Sequence, residues 1–217
     1  MAEKRPRARA TYHHGDLRAA LIAAGIDRAR TGGPQAVGLR EVTRAVGVAP
    51  NSAYGHFPTL TALKQAVARE ARVAMAEAMG AHLDSVAVSG HPGEAAEAYL
   101  REVGRAYVAY ALAEPGLFRM AMGGDPTGIR VPAAPGGDDD DRPRPRFHLE
   151  RALDRLIASG RLRREDTGRA VMASWATVHG LSIMLLDLLP QLSAAAKEAA
   201  VDDALDVLVA GLTRSRP

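Results

Sequence analysis

Glycine and proline cut this chain into blocks of helical length, and within each block apolar residues recur every three or four positions. Leu17, Ala20, Leu21 and Ala24 follow Asp16, which reads as the cap of a helix running to about Thr31. Gly32, Gly33 and Pro34 stop it. Leu39 to Val46 reads as a short helix ended by Gly47, and Pro50 to Phe57 as a second, ended by Pro58. Thr59 is placed to cap a long helix to about Met79. Further helices are expected at 93–114, 116–122, 148–159, 165–189 and 193–212. No block alternates in the manner of a strand. The expectation is an all-α fold of about nine helices, with Ala-rich, closely packed elements.

Two segments break the pattern. Residues 1–14 are polar and basic without a period, and read as a flexible arm carrying Arg5, Arg7 and Arg9. Residues 123–146 are rich in Pro and Gly and carry the acidic run Asp138 to Asp141; this stretch reads as a disordered loop. The arm lacks the apolar core of a secretory signal. No run of about 18 apolar residues is expected to span a membrane, so a cytoplasmic chain with no membrane partner is expected.

Charge divides the chain more sharply than the net +3 suggests. Residues 1–75 hold 12 Lys/Arg against 5 Asp/Glu, and the remainder 16 against 20, so the front is +7 and the back −4. A basic front suits a polyanionic partner. With no cysteine there is no thiol nucleophile and no Cys-ligated metal. No Walker loop, HExxH, GxSxG or strand-bound GxGxxG is present, and the acidic run lacks the spacing of a calcium loop. Neither an enzyme nor a resident cofactor or metal is expected.

The stretch Gly38 to Leu63 carries the most specific information. A two-turn helix ends at Gly47, Val48 fills the turn, and Pro50 opens a second short helix. Val42, Val46, Val48 and Ala53 can close a small core between them. This is a helix-turn-helix, a unit whose second helix suits the DNA major groove. Within it, Gly47 and Val48 followed by Tyr54, Gly55, His56 and Phe57 resemble the DNA-binding domain of TetR-family transcriptional regulators over about residues 15–65. Trp175, His179 and Gly180 resemble the Trp-His-Gly signature of one group of C-terminal domains in the same family.

The resemblance implies a DNA-binding domain at 15–58 and an effector-binding and dimerisation domain at 59–217. It implies a homodimer through helices 165–189 and 193–213, bound to a palindromic double-stranded DNA operator, and a repressor released by an unidentified small molecule. It further implies that Tyr54 contacts phosphate. Three departures bear on this. Gly38 stands where Ser or Thr usually caps the first motif helix, and Ala49 where Ser often starts the second. Leu60 stands where a phosphate-contacting Lys is usual, so Lys64 or the arm would compensate. The expected DNA-binding set is Arg40, Asn51, Ser52, Tyr54, His56, Thr59 and Lys64, with Thr59 also aiming a helix N-terminus at phosphate. Aromatic clustering adds an expected effector pocket of Tyr99, Tyr107, Tyr110, Phe118, Met122, Trp175 and His179. Each is also readable as ordinary core, and His179 as a satisfied buried histidine. The competing readings are a helical ligand-binding protein or enzyme with a vestigial helix-turn-helix, and a DNA binder without an effector.

Overall fold

The structure is a computed structural model that describes residues 14–123 and 142–213. The basic arm, the acidic run and most of the 123–146 stretch lie outside the described residues. Among the described residues the chain forms nine α-helices and no strand. These are α1 (His14–Gly32), α2 (Leu39–Val46), α3 (Pro50–Tyr54), α4 (Leu60–Ser85), α5 (Pro92–Ala113), α6 (Pro115–Met122), α7 (Pro145–Ala158), α8 (Thr167–Ile183) and α9 (Ala194–Thr213).

One apolar core runs through the described chain, from Leu21 in α1 to Val209 in α9. The long helix α4 ties its two ends together. It packs against α1 on one side and against α5, α6 and α7 on the other. Its buried stripe includes Leu63, Val67, Ala71, Met75 and Met79, at the three-to-four spacing that keeps one face of a helix inward. Helices α8 and α9 pack on α5 and on each other.

Several boundaries differ from the sequence expectation, each for a local reason. Asp16 lies within α1, which begins at His14. Helix α3 ends at Tyr54, and Gly55, His56 and Phe57 form the turn that follows it. Helix α4 continues through Gly80 to Ser85, because a lone glycine costs a helix only about 1 kcal/mol and long packing offsets it. Pro145 opens α7 at its first turn, where a missing N–H costs nothing, and Arg142 forms a two-toothed pair with Glu70 at 2.9 and 2.8 Å. The 142–146 end of the expected disordered stretch is therefore ordered against α4.

The expected single helix 165–189 is three elements. A 3-10 turn over Arg164–Asp166 leads into α8, and a π-turn over Met184–Leu188 follows it. The widened turn is closed by the Leu189 N–H donating to the Met184 carbonyl at 2.8 Å. By length and composition Arg164–Leu188 is also apolar enough to cross a membrane, with mean hydropathy 1.4, which corrects the expectation that no segment is. Only 22% of that window is buried within the chain, so its apolar surplus faces outward.

The two parts meet where α6 abuts the end of α1. A Cβ at Gly116 would collide with the Ala29 carbonyl oxygen and lie 2.6 Å from that of Arg30. Only glycine lets the α6 N-terminus come this close to the α1 C-terminal carbonyls, where the two helix-end charges are opposite in sign.

Candidate functional site

Helix α2 carries Glu41 in its first turn and Arg44 in its last, each the sign the helix dipole favours at that end. Its N-cap, Gly38, makes no side-chain cap hydrogen bond. A Cβ on Gly38 would collide with the Glu41 carboxylate, which folds back over it. The acidic side chain thus occupies the space a Ser or Thr cap would use. Buried Thr43 turns inward and donates its hydroxyl to the Leu39 carbonyl at 2.8 Å.

The turn is locked by Gly47 at φ 78, ψ 27, in the left-handed region. Its N–H donates to Arg44 at 3.2 Å and that of Val48 to Thr43 at 3.0 Å. Helix α3 starts with Pro50 at its first turn after an extended Ala49. Ala53 and Phe57 are buried, and the Phe57 ring lies 5.3 Å from the Arg18 guanidinium carbon. With that side anchored, Asn51 and Ser52 are exposed and Tyr54 is 52% exposed. His56 is half-buried. Thr59 accepts the Ala62 N–H at 3.0 Å and caps α4. Arg40 is exposed on α2.

Arg44, one turn after Arg40, is exposed on the same side of α2. It is absent from the set expected from sequence, although the spacing of four was there to find. Lys64 is half-buried in the second turn of α4. It lines a cleft at the α1–α6 junction with Arg30 and Arg119.

Five of the seven expected pocket residues come together between α5, α6 and α8. The Tyr107 hydroxyl lies 3.2 Å from His179 Nδ1 and 3.5 Å from Met122 Sδ. The Phe118 ring meets Tyr107 edge-on at 5.8 Å and His179 at 5.6 Å. Trp175 stacks on His179 at 5.1 Å with 14° between the planes. Burial holds the His179 imidazole below its usual pKa. Burial likewise pushes the Tyr107 hydroxyl well above the tyrosine range, against an opposing hydrogen bond with the Trp175 side chain. The neutral His179 can therefore accept from Tyr107 through Nδ1 while Nε2 keeps its proton. The cluster offers an apolar wall with two polar tips that exchange hydrogen bonds without carrying charge.

Tyr99 and Tyr110 make no ring contact or hydrogen bond with this cluster among the described residues. The Tyr99 ring is covered by Arg155, whose guanidinium carbon lies 3.7 Å from its centre. Tyr110 has a buried hydroxyl with no hydrogen-bond partner. Its pKa is pushed up to about 12, by burial first and by Glu114 second.

Several large apolar side chains are exposed on the last two helices and the π-turn between them, beside charged Arg169, Asp203 and Asp206. Met172 and Met184 are exposed, Leu188 is 67% exposed and Val207 75%. Among the described residues no group of three His, Asp or Glu could hold a metal.

Comparison with known proteins gives three results. Residues 100–212 match the family model described as tetracyclin repressor-like, C-terminal domain. No curated protein matches. Many solved structures share the fold. A protein of unknown function from Rhodococcus sp. RHA1 is 23% identical, with TM-score 0.64 over 94% of this chain and 99% of that one. A variant of TetR from Acinetobacter baumannii AYE, in complex with minocycline, is 18% identical, with TM-score 0.61 over 94% and 100%. A TetR transcriptional regulator from Rhodococcus sp. RHA1 is 21% identical, with TM-score 0.55 over 92% and 100%.

Proposed function

The chain belongs to the TetR family of transcriptional regulators, and on that premise we propose that it is a cytoplasmic repressor that binds a palindromic DNA operator as a homodimer. The observation that carries this reading is the α3 face. Asn51, Ser52 and Tyr54 point outward from a helix fixed by buried Ala53, buried Phe57 and the left-handed turn at Gly47. A short, rigid helix exposing amide and hydroxyl groups can read base edges. Asn51 and Ser52 do that reading. Tyr54, Thr59, Arg40 and Arg44 sit around them to hold phosphates, which set position and affinity rather than sequence. Arg44 widens the cationic edge that the missing Lys at Leu60 narrows. His56, at the end of the motif, joins Asn51 and Ser52 in that reading.

Dimerisation uses α8, the π-turn after it, and α9. Their exposed Met172, Met184, Leu188 and Val207 make an apolar surface that a second copy would cover. The two α3 helices of the dimer must then stand about 34–36 Å apart to enter successive major grooves.

The effector is an apolar small molecule with a hydrogen-bonding group, received at Tyr107, Phe118, Met122, Trp175 and His179. In the unliganded chain these side chains satisfy one another. A ligand that takes over the Tyr107 and His179 hydrogen bonds must spread the cluster, and so favours a different disposition of α5, α6 and α8. It shifts the protein off DNA only by its difference in affinity between the two states.

The test is selection of bound sequences from a random double-stranded DNA pool by the full-length protein. Enrichment of an inverted repeat with half-site centres about 10 base pairs apart, or a multiple of it, is the expected result. A pool that stays random through successive rounds would remove sequence-specific DNA binding from the account.

A further inference from the structure

A cleft of about 480 Å³ lies at the junction of the two parts, away from the aromatic cluster. It is lined by Arg30 at the end of α1, by Pro34 and Gln35 in the turn after it, by Lys64 in α4, and by Pro115 and Arg119 in α6. Its size falls in the range of small-molecule sites. Among the described residues three cationic side chains line it and no carboxylate does.

The surrounding acids are already engaged. Arg30 pairs with Glu114 at 3.2 Å and with Asp27 at 3.5 Å. Arg119 pairs with Asp187 at 2.5 Å. Lys64 is half-buried and has no ion-pair partner among the described residues. A half-buried ammonium left without a counter-charge gains from any anion that enters beside it. The prolines at 34 and 115 supply flat apolar walls on either side.

We propose that this cleft binds a small amphipathic organic anion, a carboxylate or a phosphate monoester. Its head group sits on Lys64, with Arg30 and Arg119 beside it. Its short apolar body lies against Pro34 and Pro115. The site goes beyond the function proposed above and stands without it, because its binding is read with no DNA present. A bound anion would join α1, α4 and α6, the three helices that meet where Gly116 touches the α1 carbonyls.

The experiment is isothermal titration of the full-length protein with hexanoate, hexyl phosphate and neutral hexanol. Saturable binding of at least one anion, weakened by added salt, with none by hexanol, is the expected result. The tighter of the two anions then identifies the head group. Lys64→Gln should weaken that binding at least about tenfold, as loss of a charge-assisted hydrogen bond does. Lys64→Arg should hold it within about threefold, with both variants melting like the parent. Equal binding of hexanol, no saturation by either anion, or a Lys64→Gln protein that binds like the parent would overturn the proposal. So would a loss in Lys64→Arg as large as in Lys64→Gln.

Discussion

Tyr54 on α3 and Leu188 beyond α8 are exposed to a similar degree, 52% and 67%, yet they expose different chemistry. Around Tyr54 stand Asn51, Ser52, Arg40 and Arg44, all polar or charged and exposed. Near Leu188, one turn before it, is exposed Met184; Met172 is exposed farther back on α8, and Val207 on the neighbouring helix α9. The first surface stays hydrated until a polyanion displaces its water. The second loses free energy for as long as it faces water, by about 25 cal/mol for each Å² of apolar area left uncovered. On the function proposed here, solvent exposure therefore has two meanings in one chain: one surface for nucleic acid, and one for a second copy of the chain. The inner sides of the two regions carry the same lesson. Ala53 and Phe57 fix α3 rigidly, while α8 rests on Ala170, Ser174, Val178 and Ser182, small or β-branched residues that let it approach α5 closely.

The largest expected effect breaks the second surface. Val207→Glu puts a charge into the proposed seam, where burying it unpaired costs several kcal/mol. The dimer dissociation constant should rise at least about a hundredfold in sedimentation experiments. Operator affinity should fall with it, because each half-site would be bound alone. A dimer that persists unchanged would move the interface elsewhere.

A smaller effect tests the joint between the regions. Gly116→Ala forces a Cβ onto backbone carbonyls that cannot rotate away. We expect a loss of about 1–3 kcal/mol in urea unfolding, the usual cost of overpacking. Parent-like stability would mean that α1 and α6 are free to separate.

Tyr54→Phe removes only a hydroxyl from the first surface. It should cost about 1 kcal/mol of DNA binding, and equally on every sequence. A loss confined to one operator variant would reassign Tyr54 from phosphate to base contact.

The smallest effect concerns the aromatic cluster. His179 is held below its ordinary pKa by burial, so the unfolded chain takes up a proton at a pH where the folded one does not. The stability this contributes is complete above roughly pH 6.5 and is lost as pH falls through the depressed value. Thermal melts at pH 7.5 and 5.5 should show the parent losing more stability on acidification than His179→Gln. Identical losses would take His179 out of the acid response.

Much of this was legible in the sequence, for identifiable reasons. Helix α2 was bounded correctly at both ends because Gly38 and Gly47 flank it, and Thr59 because a hydroxyl before an apolar run is a strong cap signal. Pro145 was equally readable as a helix start, but the low-complexity composition around it hid the signal. Gly80 reads as a helix stop, but a glycine inside a long packed helix is carried by its neighbours, and α4 runs through it. The pocket expectation grouped Tyr99 with Tyr107, yet eight residues separate them by about 12 Å along α5, so one cluster cannot easily hold both. The cleft at Lys64 was beyond the reach of sequence. Its lining comes from four segments that only tertiary packing of α1, α4 and α6 brings together, and none carries a motif.

The central claim is that α3 reads DNA sequence through Asn51 while its surroundings only hold the backbone. The most direct test is fluorescence anisotropy of the selected operator and a scrambled duplex, titrated with parent and Asn51→Ala at several salt concentrations. A steep salt dependence is predicted for both proteins. Asn51→Ala should lose about 1–3 kcal/mol on the operator and almost nothing on the scrambled duplex. Equal losses on the two duplexes, or none on either, would contradict the claim.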